Sequence, residues 1–493
     1  MGHALHNGTL CRRLCAWLVL QGVLPLQAAP LPPAPPRPPL ASPAASSSAV
    51  VPTAAEALAQ PRPQFSHRGL LPRPSLAASV PASMSYPPTA AQPGLIDGLR
   101  CAPLQRAVEA ILATDPGRWG VTLVDGSGRL LADHRGSDAL IPASNQKLIS
   151  TAIAIDRLGP GHRLHTSLWR LPDGRYRLQG SGDPFLTQSQ IQHFAMLAVR
   201  DGLRFGEMVP NLDLPELPRG HWWPSGWPLD DRQWEYAAPV TLLSVAANSE
   251  GDFAVQDPPA KISRLLRQGA LAAGGALDVT PVSAARTRLS RGSRRIHAVA
   301  SPPLSQLITR ANNRSHNVTA EVLLRIGGRS WDLRTARRRA LVWLRRRGLW
   351  HRGLTVADGS GLDRANRASS RFFTALLLHM HRHPHSTTWF GSLARAGQTG
   401  TLKYSYAESP LKGRFVAKTG TLRGVRTMSG RLNTPGGPVF FSFLANGAEN
   451  PSELMEALLT RADSLASCGP QPDQRRSDKS TPRSIRQRLP GRR

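Results

Sequence analysis

Hydrophobic and polar positions along the chain change period several times, and each change marks an element. Residues 96–114 carry apolar side chains at helical spacing. Residues 119–125 and 130–134 follow as two short apolar runs around Gly126-Ser127-Gly128, which predicts a β-hairpin. Leu148, Ile149, Ala152, Ile153 and Ile155 then read as a buried helix that Gly159-Pro160 stops. Between 165 and 298 the pattern breaks into short strand-like runs among Gly and Pro, with a tryptophan cluster at 222, 223, 227 and 234. Helical spacing resumes near Leu304, in a strongly basic stretch over 331–347, and over 370–381. Three strand-like runs, 413–419, 425–432 and 439–446, precede a last helix over 452–467. Helix, hairpin, helices, three strands and helix predict an α/β (α+β) fold, in which an antiparallel sheet carries the first and last helices together on one face.

The ends do not fit a packed core. Arg12 and Arg13, an apolar run from 14 to 26 and small residues at Ala28 and Ala29 predict a signal peptide over 1–29, with a retained anchor as the alternative. The chain is therefore expected to be exported. Residues 30–95 are rich in Pro, Ala and Ser, the composition of a disordered linker. Residues 469–493 hold eight Lys or Arg against two Asp, a basic disordered tail. The folded remainder divides into a catalytic unit, 96–164 with 299–468, and a mainly-β domain inserted at 165–298.

A formal charge of +30 raises nucleic acid as a partner, but export and the lack of any nucleic-acid-binding motif argue against it. An anionic envelope surface reached through the basic tail is the better physical partner; plain arginine bias is the alternative. Past the signal only Cys101 and Cys468 remain, flanking the folded part. In an oxidising compartment they are expected to pair if the first and last helices meet, and otherwise to stay as buried thiols.

The chemistry concentrates where the buried helix opens. Ser144 and Lys147, one turn apart, set a hydroxyl beside an amine that can take its proton only when neutral. Alone this spacing is weak, and Ser409 and Lys412 repeat it in front of a strand. Two further motifs give Ser144 company: Ser315-His316-Asn317 in a helix-rich segment, and Lys418-Thr419-Gly420 at the end of a strand-like run. Ser144 is the expected nucleophile, and Lys147, kept neutral by the charge of Lys418, the base. Ser315 is expected to relay the proton to a leaving amine, and Asn317 to align Lys147 with the substrate. Lys418 and Thr419 suit a substrate carboxylate. Gly420 allows close approach, and the N–H groups of Ser144 and Thr421 form an oxyanion hole. Asp358-Gly359-Ser360-Gly361 reads as a supporting turn.

In that order and context the three motifs resemble those of the low-molecular-mass class C penicillin-binding proteins, the D-alanyl-D-alanine carboxypeptidases and endopeptidases that share the serine β-lactamase fold. Gly182-Asp183-Pro184, Trp227-Pro228-Leu229-Asp230-Asp231, Ala238-Pro239-Val240, Asp358-Gly359-Ser360-Gly361-Leu362 and Ala417-Lys418-Thr419-Gly420-Thr421-Leu422 extend the resemblance over about residues 96–467. It implies a periplasmic serine peptidase that works on peptidoglycan stem peptides and cross-bridges through an acyl-enzyme. It also implies no metal or other cofactor, and acylation by β-lactam antibiotics. His316 departs from the family's usual acid at that place; the alternatives are a neutral variation in loop shape and an altered pH profile. Gln398-Thr399-Gly400 also departs, and the inserted block is short for the type. One rival reading is a β-lactamase or serine esterase, against which stands the lack of any glutamate between Glu250 and Ser315. The other is a weakly catalytic cell-wall scaffold, against which stands the intact set of motif residues.

Overall fold

The computed structural model of the chain describes residues 94–465 apart from Thr287. The expected signal, nearly all of the linker, Cys468 and the basic tail lie outside the described residues.

The first helix, α1, spans Ala102–Leu112, shorter than the apolar spacing suggested. Pro103 fits only the first turn of a helix, and Gly98 has φ +97°, so the chain ahead of Cys101 cannot continue it. Cys101 is buried at the N-cap and is disulfide-bonded. Strands β1 (Arg118–Asp125) and β2 (Leu130–His134) form the hairpin. A 3₁₀ turn, Ala143–Gln146, then leads into α2, Lys147–Leu158, which ends at Gly159 with φ +75°.

Residues 165–300 build a sheet of their own from β3 (His165–Arg170), β4 (Tyr176–Gln179), β5 (Asn211–Glu216), β8 (Asp278–Ser283) and β9 (Arg294–Ala300). A small ribbon, β6 (Ser249–Glu250) with β7 (Phe253–Ala254), lies between β5 and β8 in the chain. The sheet order is β8-β5-β4-β3-β9, and β4, β5 and β8 run parallel. Parallel neighbours need crossovers, and two helices supply them. These are α3 (Gln188–Arg204), opened by a capping box at Thr187, and α4 (Pro258–Ala272), capped by Asp257. The Gly- and Pro-rich turns had drawn attention to strands alone; the block carries two long helices as well.

Helices α5 (Leu304–Asn313), α6 (Asn317–Gly327), α7 (Leu333–Arg346), α8 (Ser370–His381) and α9 (Ser386–Gly391) follow. Strands β10 (Ala394–Arg395), β11 (Phe415–Leu422), β12 (Val425–Thr434) and β13 (Gly437–Asn446) and helix α10 (Pro451–Ser464) complete the described chain. The main sheet runs β10-β11-β12-β13-β1-β2, all antiparallel. Alternation along β13 sorts its two faces. Phe441 and Phe443 join Trp119, Leu104 and Leu458 beneath α1 and α10, whereas Phe440 and Leu444 join the core made by α2, α5, α6 and α8. Burying each such phenylalanine stabilises the fold by about 2–3 kcal/mol. The motif Lys418-Thr419-Gly420 lies inside β11 and not at its end, because pairing with β12 continues to Leu422 opposite Val425.

Candidate active site

The 3₁₀ turn sets Ser144 at the mouth of α2 and buries Lys147 completely one turn on. Ala143 has φ +45°, and Gly361 fits against it as only glycine can. A Cβ at Gly361 would stand 1.8 Å from the Ala143 carbonyl oxygen, and its own φ is +86°.

Lys147 Nζ lies 2.8 Å from Ser144 Oγ, 2.6 Å from Asn317 Oδ1 and 2.7 Å from the Ser360 carbonyl. The Asn317 amide cannot flip, because its Nδ2 donates to the Tyr236 carbonyl at 2.7 Å. Two of the three partners of Lys147 are therefore pure acceptors. They take the two N–H bonds of a neutral amine, and its lone pair is left facing the Ser144 hydroxyl.

Burial is what makes that amine neutral near physiological pH, pushing Lys147 down to about 7. Asp358 and Glu321 pull it the other way. The sequence-based expectation that Lys418 keeps Lys147 neutral is thus corrected: desolvation does so. Lys418, also fully buried, is held well below its ordinary value by burial first and by the charge of Lys147 second. It donates to Ser315 Oγ at 3.0 Å and to the Thr419 carbonyl at 2.6 Å. Ser315 reaches it from a backbone with φ +59°.

Two buried acids hold the loop that presents the Ser360 carbonyl: Asp358, in the turn the sequence marks as supporting, and Glu321, to which no motif points. Glu321 accepts the N–H groups of Gly359 and Ser360 at 2.7 and 2.9 Å and pairs with Arg325 at 2.7 Å. Its carboxyl is pushed up to about 7 by burial and by nearby Asp358. Asp358 accepts from Trp227 Nε1, Ser360 Oγ, Asn366 Nδ2 and the N–H groups of Gly361 and Asp363, all within 2.9 Å. Ser360 is itself buried and committed to Asp358. For Glu321 the sign in the sequence is a Glu–Arg pair four apart amid Val318, Val322, Leu323 and Leu324, since an acid on an apolar helix face needs a reason.

His316 opens α6. Its Nδ1 accepts the Thr319 N–H at 3.2 Å, and its Nε2 lies 3.2 Å from Glu235 Oε1. Arg310 Nη2 stands 3.1 Å from the same nitrogen. Burial first, and Arg310 next among the groups that oppose charge, hold the imidazole below its ordinary value, while Glu235 opposes them. The ring thus caps the helix as a neutral side chain.

The edge of β11 borders the site. β10 covers it only at Val416 and Ala417, so among the described residues no strand lies beside the edge from Lys418 onward. Gly420 brings it against Ser144: a Cβ there would sit 2.8 Å from the Ser144 nitrogen. A cavity of about 480 Å³ opens from Ser144 and Ser315 and runs past Thr419 and Thr421. Thr419 Oγ1 donates to Thr401 Oγ1, and Arg426 donates to Thr421 Oγ1, each at 2.7 Å. Neither Thr401 nor Arg426 was legible as a site residue. The second serine–lysine pair, Ser409 and Lys412, lies in a turn ahead of β11, with Lys412 exposed.

The family model described as D-Ala-D-Ala carboxypeptidase 3 (S13) matches residues 104–250 and 244–465. The D-alanyl-D-alanine carboxypeptidase of Actinomadura sp. (strain R39) is 27% identical over 74% of this chain and 85% of its own. A carboxypeptidase of Mycobacterium tuberculosis (strain ATCC 25618 / H37Rv) is 26% identical over 72% of this chain and 82% of its own. The crystal structure of penicillin binding protein 4 (dacB) from Haemophilus influenzae superposes with a TM-score of 0.62 at 19% identity, over 73% of this chain and 99% of that one. That likeness shows the fold. With the family model spanning nearly all of the described chain, this protein belongs to the D-Ala-D-Ala carboxypeptidase 3 (S13) family and is a serine peptidase of the low-molecular-mass class C penicillin-binding type.

Proposed function

We propose that Ser144 carries the carboxypeptidase and endopeptidase chemistry on peptidoglycan peptides, with Lys147 as its base. The contact of Ser144 Oγ with an amine whose two N–H bonds are already spoken for supports this most directly. Ser144 Oγ attacks the penultimate D-alanine carbonyl, forming an O–C bond while its proton passes to Lys147 Nζ. The N–H groups of Ser144 and Thr421 receive the oxyanion. The C–N bond then breaks, and the proton reaches the leaving amine through Ser315, which Lys418 holds in place. Water repeats the sequence on the ester and restores Ser144. Lys418 and the Thr419 hydroxyl attract the terminal carboxylate. A β-lactam opens on Ser144 by the same first step and stays as the ester.

Residues 1–29 carry the composition of a signal peptide, which supports export, and the family's action on peptidoglycan makes the periplasm the compartment we propose. Intact mass after incubation with a β-lactam tests the central assignment. An adduct on the parent that is absent from Ser144→Ala is the expected result. An adduct that persists in Ser144→Ala, or none on either protein, overturns it.

A further inference from the structure

Large apolar side chains left in water together need an explanation that a lone exposed leucine does not. Met208 is 73% exposed, Leu271 71%, Phe205 58%, Val209 51% and Leu203 49%. All five belong to the block at residues 165–300, and parallel pairing puts them at one end of its sheet. Strands β4, β5 and β8 start together, with Tyr176 beside Leu212 and Asn211 beside Asp278, so the two crossover helices end together. A Cβ at Gly269 would stand 2.4 Å from the Gln192 carbonyl oxygen, and one at Gly275 2.5 Å from Val199 Cγ1, which lays α3 and α4 side by side in the same direction. Leu203 and Phe205 stand at the end of α3, Met208 and Val209 lead into β5, and Leu271 stands at the end of α4.

Cations frame these side chains. Arg200, Leu203 and Arg204 lie three and four residues apart on α3, and Arg267 and Leu271 four apart on α4, so each leucine shares a helix face with arginine. Arg200, Arg204 and Arg267 are exposed and form no ion pair among the described residues. The acids at this end are mostly neutralised: Asp173, Asp201 and Glu207 pair with Arg175, Arg294 and Arg170, which leaves Asp278 against the three arginines.

The chain enters this sheet at Leu164 and leaves it at Ser301, and the two residues bond each other at 2.8 and 2.9 Å. From there β3 runs out for six residues, roughly 20 Å, to Arg170 and the turn at Gly174 that Glu207 adjoins. The apolar end is therefore the one farthest from the catalytic unit. A bilayer interface accepts apolar side chains and guanidinium groups together, the first among the acyl chains and the second on phosphates. A second copy docked on the same patch would instead set Arg200, Arg204 and Arg267 against their own counterparts. No helix among the described residues is long and apolar enough to cross a membrane, so the contact is peripheral.

We infer that this end of the inserted domain docks on an anionic lipid bilayer. Met208, Val209 and Leu271 enter the boundary between headgroups and acyl chains, while Arg200, Arg204 and Arg267 rest on lipid phosphates. The inference is independent of the chemistry at Ser144.

The test mixes the full chain with vesicles of phosphatidylglycerol and phosphatidylethanolamine, or of phosphatidylcholine alone, and measures the bound fraction by cosedimentation. One variant combines Met208→Asp with Leu271→Asp; the other combines Arg200→Gln, Arg204→Gln and Arg267→Gln. Urea unfolding of both should match the parent, because every replaced side chain is exposed. The parent should prefer the anionic vesicles. The aspartate variant should bind them about tenfold more weakly or worse, and the glutamine variant about a hundredfold, at roughly fivefold per cation near the surface. A parent that does not bind anionic vesicles, or binds both kinds equally, overturns the inference. So does either variant binding as the parent does, since the contact then lies elsewhere on the chain. Self-association of the parent without lipid binding, lost in the aspartate variant, overturns it in favour of a second copy on the patch.

Discussion

Replacing Lys147 with arginine tests the chemistry most sharply, because arginine cannot give up its proton at any working pH. Lys147 drops from its ordinary 10.5 to about 7, which corresponds to roughly 5 kcal/mol of discrimination against the charged form. A lysine left at its ordinary value is neutral at pH 7 in only about one molecule in several thousand, whereas here about half are neutral. Burial therefore multiplies the available base by about a thousand. The same shift weakens proton binding in the folded state relative to the unfolded. Fold stability accordingly rises with pH between about 7 and 10.5, and the full cost is felt below that window. The assay is the rate of β-lactam acylation from about pH 5 to about pH 9, where the parent should climb tenfold per pH step and level off near 7. Lys147→Arg should acylate at least about a thousandfold more slowly at neutral pH. A parent rate that keeps climbing through pH 9, or an arginine variant within tenfold of the parent, would refute the argument.

Three further outcomes follow from neighbouring contacts. Gly420→Ala puts a Cβ 2.8 Å from the Ser144 nitrogen and 2.3 Å from Thr427 Oγ1; acylation should fall about a hundredfold through misplacement of the nucleophile, and a rate near the parent's would show that the turn can give way. Glu321→Gln keeps an acceptor for Gly359 and Ser360 but strands buried Arg325; urea unfolding should show a loss of about 3–5 kcal/mol, and the acylation limb should move to lower pH because a charge that raises Lys147 is gone. A limb that stays in place contradicts the coupling. His316 loses its capping acceptor when it takes a proton, and since its folded pKa is lowered, stability that depends on the neutral ring is lost as pH falls below the unfolded value of 6.5. His316 faces Glu235, Arg310 and Lys147, so the parent's acid limb should steepen beyond one proton where the folded ring takes its proton, at a pH below its ordinary 6.5; in His316→Asn, which caps without titrating, it should not. Equal slopes in the two proteins would remove His316 from the pH profile.

The sequence by itself determined which local elements form and which chemistry-bearing residues they carry. Helix α8 and the β1–β2 hairpin stand where apolar spacing and turn glycines put them, because those signals are local. Ser144 and Lys147 were legible because a helix turn sets their separation, and Ser315, Asn317 and Lys418 because each sits in a short motif. What only the tertiary structure decided is how those pieces meet and in what charge state. Helices α3 and α4 are required by parallel pairings between distant strands, which no run of residues announces. Lys147 is held down to about 7 because α2, α6 and the loop at Ser360 exclude water from it, and desolvation is a property of the assembled interior, not of the residue. Glu321 enters the site through loop N–H groups, Tyr236 through its carbonyl and Arg426 through strand register. Contacts of that kind depend on distances across the fold, and those exist only once the chain has closed on itself.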